Sequence, residues 1–136
     1  MNINVKGIGA FCTAFLLICA PVQAHHSFAA EYDSAKPIRL QGKVTKLELV
    51  NPHAWLYVDV EDGGGKVVNW AGELSSPNNL LRNGWRPTSA KPGDMVTLEG
   101  FAAKDGTTTI NVRSVTTGDG HRLFAGPASD PNPPRD

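Results

Sequence analysis

Apolar residues alternate with polar ones along most of the chain between positions 36 and 126, the period expected of β-strands. Ile38, Leu40 and Val44 share one parity, whereas Leu47 and Leu49 take the other. The apolar face therefore changes sides around Thr45-Lys46, as in a long strand carrying a bulge. Ala54, Leu56, Val58 and Val60 mark a second strand, with His53, Trp55, Tyr57 and Asp59 on its opposite face. "DGGGK" at 62–66 supplies turn residues that accept positive φ, and the chain returns through Val68, Trp70 and Leu74 as a third strand. "SSPNNLLRNGW" then breaks the period of two. Ser76 suits an N-cap, Pro77 the first helical position, Leu80 and Leu81 an inward face, and Gly84 the end of a helix of about two turns. "KPGD" at 91–94 leads into a fourth strand (Val96, Leu98) and "KDG" at 104–106 into a fifth (Ile110, Val112, Val115), whose parity slips between Val112 and Val115. "HRLFAG" offers a further edge segment.

A long bulged strand, two strands, a short helix and two more strands follow one another in the order of the OB-fold, which places its helix between the third and fourth strands. The expected fold is thus all-β with one short helix, a small five-stranded OB-like barrel, with a small β-sandwich as the alternative. Closing the sheet removes exposed edges, and bulges let its strands bend. The organisation expected is a signal peptide over 1–24, an N-terminal segment over 25–35, the OB-like domain over 36–126 and a disordered tail over 127–136. The tail, "PASDPNPPRD", is rich in proline and polar residues.

Before the first strand the pattern is that of an export signal. Lys6 forms a positive start, Ile8 to Ala20 an apolar run, and Val22-Gln23-Ala24 places small residues where signal peptidase reads them. Cleavage after Ala24 is expected, giving a periplasmic or secreted protein with no membrane-spanning segment in the mature chain. Both cysteines, Cys12 and Cys19, would leave with the leader. The mature protein then has neither disulfide nor thiolate chemistry and depends on packing. Of 13 Lys and Arg residues only Lys6 lies in the leader, so 12 remain against 13 Asp and Glu, a net charge of −1. A chain so balanced, without a basic run, is not expected to take nucleic acid or an anionic membrane as its partner. A small-molecule or protein partner remains open.

The stretches "AHHSFAAEYD", "VNPHAWLYVDV", "VVNWAGELSSPNNLLRNGW", "AKPGD" and "LFAG" resemble the DUF6152 family of small exported bacterial proteins. The resemblance runs from His25 to about Gly126. It implies export and a compact β domain; the family's function is unknown, so it supplies no catalytic residues.

Candidate chemistry must then come from sites, and the richest is "VQAHHSF" at 22–28. A cut after Ala24 gives His25 a free α-amine with an ordinary pKa of about 7.7–8.0, partly neutral near pH 7 and able to bind metal. The uncut chain lacks that ligand. The amine and imidazole of an N-terminal histidine can chelate one ion, and a further imidazole would complete a nitrogen-rich set suited to Cu(II) in tetragonal geometry. His53, beside the Asn51-Pro52 turn, is the natural third donor, and His26 can substitute. The arrangement resembles the histidine brace of copper oxygenases and copper carriers only in its N-terminal histidine. It differs from the other familiar N-terminal copper motif, which has histidine third. The bland alternative is a solvated chain start with His53 bonded within its turn. His121, after "GDG", reads as an exposed turn residue.

The alternative function is a ligand, saccharide or protein-interaction module on the strand face of Trp55, Tyr57 and Asp59, with aromatic rings as stacking platforms. Against it, most aromatics in such a chain build the core, and Trp70 and Trp85 are expected there. Catalysis by side chains alone is not indicated. Glu31, Asp33, Asp59 and Glu73 have no recognisable partner spacing, and Ser27 beside His26 is adjacency, not geometry. The expectation is an exported, non-catalytic binding protein, with copper the favoured metal.

Overall fold

A computed structural model describes residues 28–127. A single helical turn, α1 (Phe28–Glu31), leads directly into β1 (Tyr32–Glu48), followed by β2 (Trp55–Glu61) and β3 (Val67–Glu73). After the helix α2 (Pro77–Arg82) come β4 (Met95–Ala103), β5 (Thr109–Thr117) and the short β6 (Arg122–Phe124). Neighbouring strands pair antiparallel in the order β3-β2-β1-β4-β5-β6, and β3 also pairs parallel with β5. That last pairing closes β1 to β5 into a ring, with β6 added alongside β5. The fold is all-β and OB-like, as the order of elements predicts, with a sixth strand formed by the "HRLFAG" segment and an extra turn at the start.

Both parity slips correspond to irregularities in pairing. Between β1 and β2 the register jumps between Val44 and Lys46, leaving Thr45 as the extra residue. Between β4 and β5, Glu99 faces Ser114 but Gly100 faces Val112, which makes Arg113 the extra residue of β5. These extra residues let two long strands curve around the core while their apolar side chains stay inside. The core consists mainly of Val44, Leu56, Val58, Val96, Leu98, Ile110, Val112 and Val115, with Leu80 and Trp85 capping one side.

The short helix forms where its sequence signals place it. The Ser76 side chain accepts a hydrogen bond from the Asn79 backbone N–H, and Pro77 occupies the first turn. Gly84 takes φ +89°, a left-handed conformation that ends the helix cheaply only for glycine. Leu80 is fully buried, but Leu81 is 43% exposed, so only one of the two expected inward leucines is in the core. Six residues make too short a helix for adjacent positions to share one buried face, since they lie about 100° apart. Trp85 is buried as expected, while Trp70 is partly buried and packs against the core on the sheet face that it shares with its partner Val58.

Candidate functional site

His53 stands just ahead of β2, where the chain leaves the Asn51-Pro52 turn. Its position is set by the next residue: buried Ala54 donates its N–H to Ser75 O (3.1 Å), and its carbonyl accepts from Leu74 N–H (2.9 Å). These bonds hold the His53 backbone beside the end of β3, where Glu73 pairs across with Trp55. The Glu73 side chain is only 9% exposed and bridges two groups, His53 through Nδ1 and Tyr32 through its phenolic O–H. The His53 side chain itself is 49% exposed. With Nδ1 donating to the carboxylate, the neutral imidazole carries its free lone pair on Nε2. A carboxylate behind one ring nitrogen fixes both tautomer and ring orientation, which is the outer-shell pattern of metal-binding histidines.

Tyr32 comes from the first residue of β1 and is buried, stacked on Phe28 at 5.8 Å. Burial and the adjacent Glu73 carboxylate both push its phenol above the ordinary tyrosine value, because ionisation would set two negative charges side by side. The neutral tyrosine is thus part of the folded state. Tyr32→Phe is expected to cost about 1–3 kcal/mol near neutral pH, the range for leaving a buried polar group short of a partner. Because the folded-state pKa is raised, this advantage is complete below about pH 10, the unfolded tyrosine value, and fades as pH rises further. Denaturation of both proteins from pH 7 to 11 should show the gap narrowing at the alkaline end. A gap that widens there would contradict the Tyr32–Glu73 bond.

Around these residues lies a cleft of about 500 Å³, lined among others by Phe28, Glu31, Tyr32, His53, Glu73 and Asn111. Asn111 reaches it from β5, where it is the register partner of Glu73 in the parallel pair. The α1 turn is fastened at its rim. Lys104 donates its backbone N–H to Glu31 O (2.8 Å) and its ammonium to Ala29 O (2.5 Å). The Phe28 ring meets Phe101 edge-on at 5.5 Å, and the Arg113 guanidinium lies over both rings, at 4.8 and 5.4 Å.

The sequence-derived site residues are only partly brought together. His25 and His26 lie outside the described residues, so their meeting with His53 is not described. Among the described residues no group of three or more His, Cys, Asp or Glu side chains could hold a metal ion by itself. His121 is exposed, as expected of a turn residue. On the other candidate face Trp55, Tyr57 and Asp59 are half-buried. The Tyr57 hydroxyl donates to Glu48 (3.2 Å), Lys46 sits 5.8 Å from its ring, and Asp59 accepts from Asn69 (2.8 Å). Two of the three side chains therefore have partners within the sheet.

Glu73 and Tyr32 are the residues that sequence reasoning missed. Glu73 reads as a carboxylate without a partner, because His53 meets it across the β2–β3 hairpin and Tyr32 only through ring closure.

The chain matches a family described as "Family of unknown function (DUF6152)" over residues 14–112. It belongs to the DUF6152 family. The match covers the strands and helix from β1 through α2 to β4, and β5 as far as Val112, so it includes Tyr32, His53, Glu73 and Asn111. No curated protein matches the chain. Among the described residues of this DUF6152 protein no helix is long and apolar enough to cross a membrane.

Proposed function

We propose that this DUF6152 protein is an exported, non-catalytic metal-binding protein, cut after Ala24 and released into the periplasm or medium. Its ligands are the α-amine and imidazole of His25 and Nε2 of His53, with His26 able to replace His53, and its preferred ion is Cu(II). The observation that carries this reading is the Tyr32–Glu73–His53 chain. A half-exposed histidine that lines a cleft is held in one tautomer by a buried carboxylate, itself held by a buried tyrosine, which makes Nε2 the acceptor nitrogen of the ring.

The N-terminal position is compatible with that geometry. Phe28 lines the same cleft as His53, and three residue steps from Phe28 back to His25 span at most about 11 Å of extended chain. Nitrogen donors from an amine and two imidazoles suit Cu(II) better than oxygen-seeking Ca²⁺ or Mg²⁺. Glu73 serves as the outer partner and not as a ligand, since both its oxygens are engaged.

Cu(II) titration of protein beginning at His25 tests the reading. His53→Ala should weaken binding by about a hundredfold or more, because even losing an outer partner costs roughly 10–100-fold. Unchanged affinity in His53→Ala would remove His53 from the ligand set.

A further inference from the structure

The acceptor-rich cleft beside His53 fits a ligand that the uncut chain does not possess. Asn111 Oδ1 is buried on the cleft wall and has no hydrogen-bond partner among the described residues. The Glu73 carboxylate is buried next to it in register, and Glu31 contributes a second carboxylate to the lining. A buried acceptor without a donor is unfavourable, so the cleft favours an occupant rich in N–H groups. Glu31, Glu73 and Arg82 share the lining, and the orphaned oxygen itself calls for an N–H donor.

We infer that this cleft is the docking site of the chain's own processed N-terminus, with the His25 α-amine donating to Asn111 Oδ1. The amine group brings up to three N–H donors and, when protonated, a positive charge. The peptide bond at the same position in the uncut chain offers one N–H, no charge and 24 further residues to accommodate. Phe28 supplies the fastening: its contacts with Tyr32, Phe101 and Arg113 pin the chain three residues from the amine. That restriction keeps the amine at a high effective concentration near the cleft. The inference rests on the same cut after Ala24 as the metal-binding reading, but it concerns the metal-free protein. A neutral amine bound to Cu(II) keeps two N–H groups, so docking and coordination are compatible.

The test uses metal-free protein beginning at His25 and an amine-reactive acylating reagent at pH 7. There the α-amine, with an ordinary pKa of about 7.7–8.0, outcompetes lysines near 10.4. Labelling of His25 is read by mass spectrometry and compared with the free tetrapeptide HHSF. Docking predicts labelling about tenfold slower in the protein, the factor that corresponds to one net hydrogen bond of ordinary strength. Asn111→Leu, close in size but without the acceptor, should restore labelling to within about twofold of the peptide. Phe28→Ala, which unpins the segment outside the barrel, gives an independent readout with the same expected loss. Phe28→Tyr, which keeps the ring, should stay protected. A wild-type amine that reacts at the peptide rate overturns the inference, as does protection that survives Asn111→Leu. Neither result bears on whether Cu(II) binds, which the titration decides separately.

Discussion

Gly100→Ala is expected to lower the free energy of unfolding by about 3 kcal/mol or more, at or beyond the upper end of ordinary overpacking costs. A Cβ at this position would lie 2.0 Å from the Asn111 carbonyl oxygen and 3.0 Å from Val112 Cα. Both are backbone atoms of β5, fixed by pairing, and cannot swing aside as a flexible side chain would. The close approach follows from the bulge, since the register jumps at Gly100 and brings β5 against it. A domain of this size has about 5–15 kcal/mol of stability in all, so the loss should be plain in urea denaturation. Because Asn111 also lines the cleft, the same substitution should disturb the site that its backbone carries. A variant with the wild-type midpoint would mean that β4 and β5 do not approach this closely.

Trp85→Ala should cost about 3–5 kcal/mol, the range for truncating a large buried aromatic. Trp85 is 1% exposed, and its indole N–H donates to Phe124 O at 2.7 Å. Its own backbone N–H bonds to Leu80 O at 3.0 Å, so one residue ties the end of α2 to β6. Truncation leaves a cavity, frees the partly buried Phe124 carbonyl and loosens the sixth strand together. Trp85→Phe, which keeps most of the apolar volume, should recover much of the loss and retain a cost of about 1 kcal/mol for the missing hydrogen bond. Far-UV circular dichroism in urea would read both variants, and an alanine cost below about 1 kcal/mol would contradict this role.

The architecture is legible in the sequence because its signals are local. Alternation marks the strands, positive-φ glycines mark the turns, and Ser76-Pro77 marks the helix start. Even the two bulges show as parity changes at Thr45-Lys46 and between Val112 and Val115. Leu81 misleads because an apolar residue next to a buried one carries no sign of which way a two-turn helix faces. The candidate site is legible only in part. His53 stands out for its residue type and its place beside a turn. Tyr32 and Glu73 give no such sign, since what unites them is the parallel β3–β5 pairing and the early start of β1, both long-range consequences of ring closure. Asn111 is likewise an ordinary polar strand residue until its register partner proves to be Glu73.

The β2–β3 hairpin and the ring closure together turn three separate positions into one device. A tyrosine from β1 holds a carboxylate from β3, which holds a histidine ahead of β2, and the α1 turn is pinned beside them. Such a support makes chemical sense for a histidine that must present one nitrogen in one direction.

The most direct measurement is the EPR spectrum and affinity of Cu(II) on protein beginning at His25, against the same chain with one alanine placed before it. Coordination through the His25 amine predicts that the added residue weakens binding by at least about tenfold, the scale on which perturbing a metal site acts, and changes the nitrogen hyperfine pattern. Equal affinity with an identical spectrum would show that the amine is not a ligand and would contradict the proposed site.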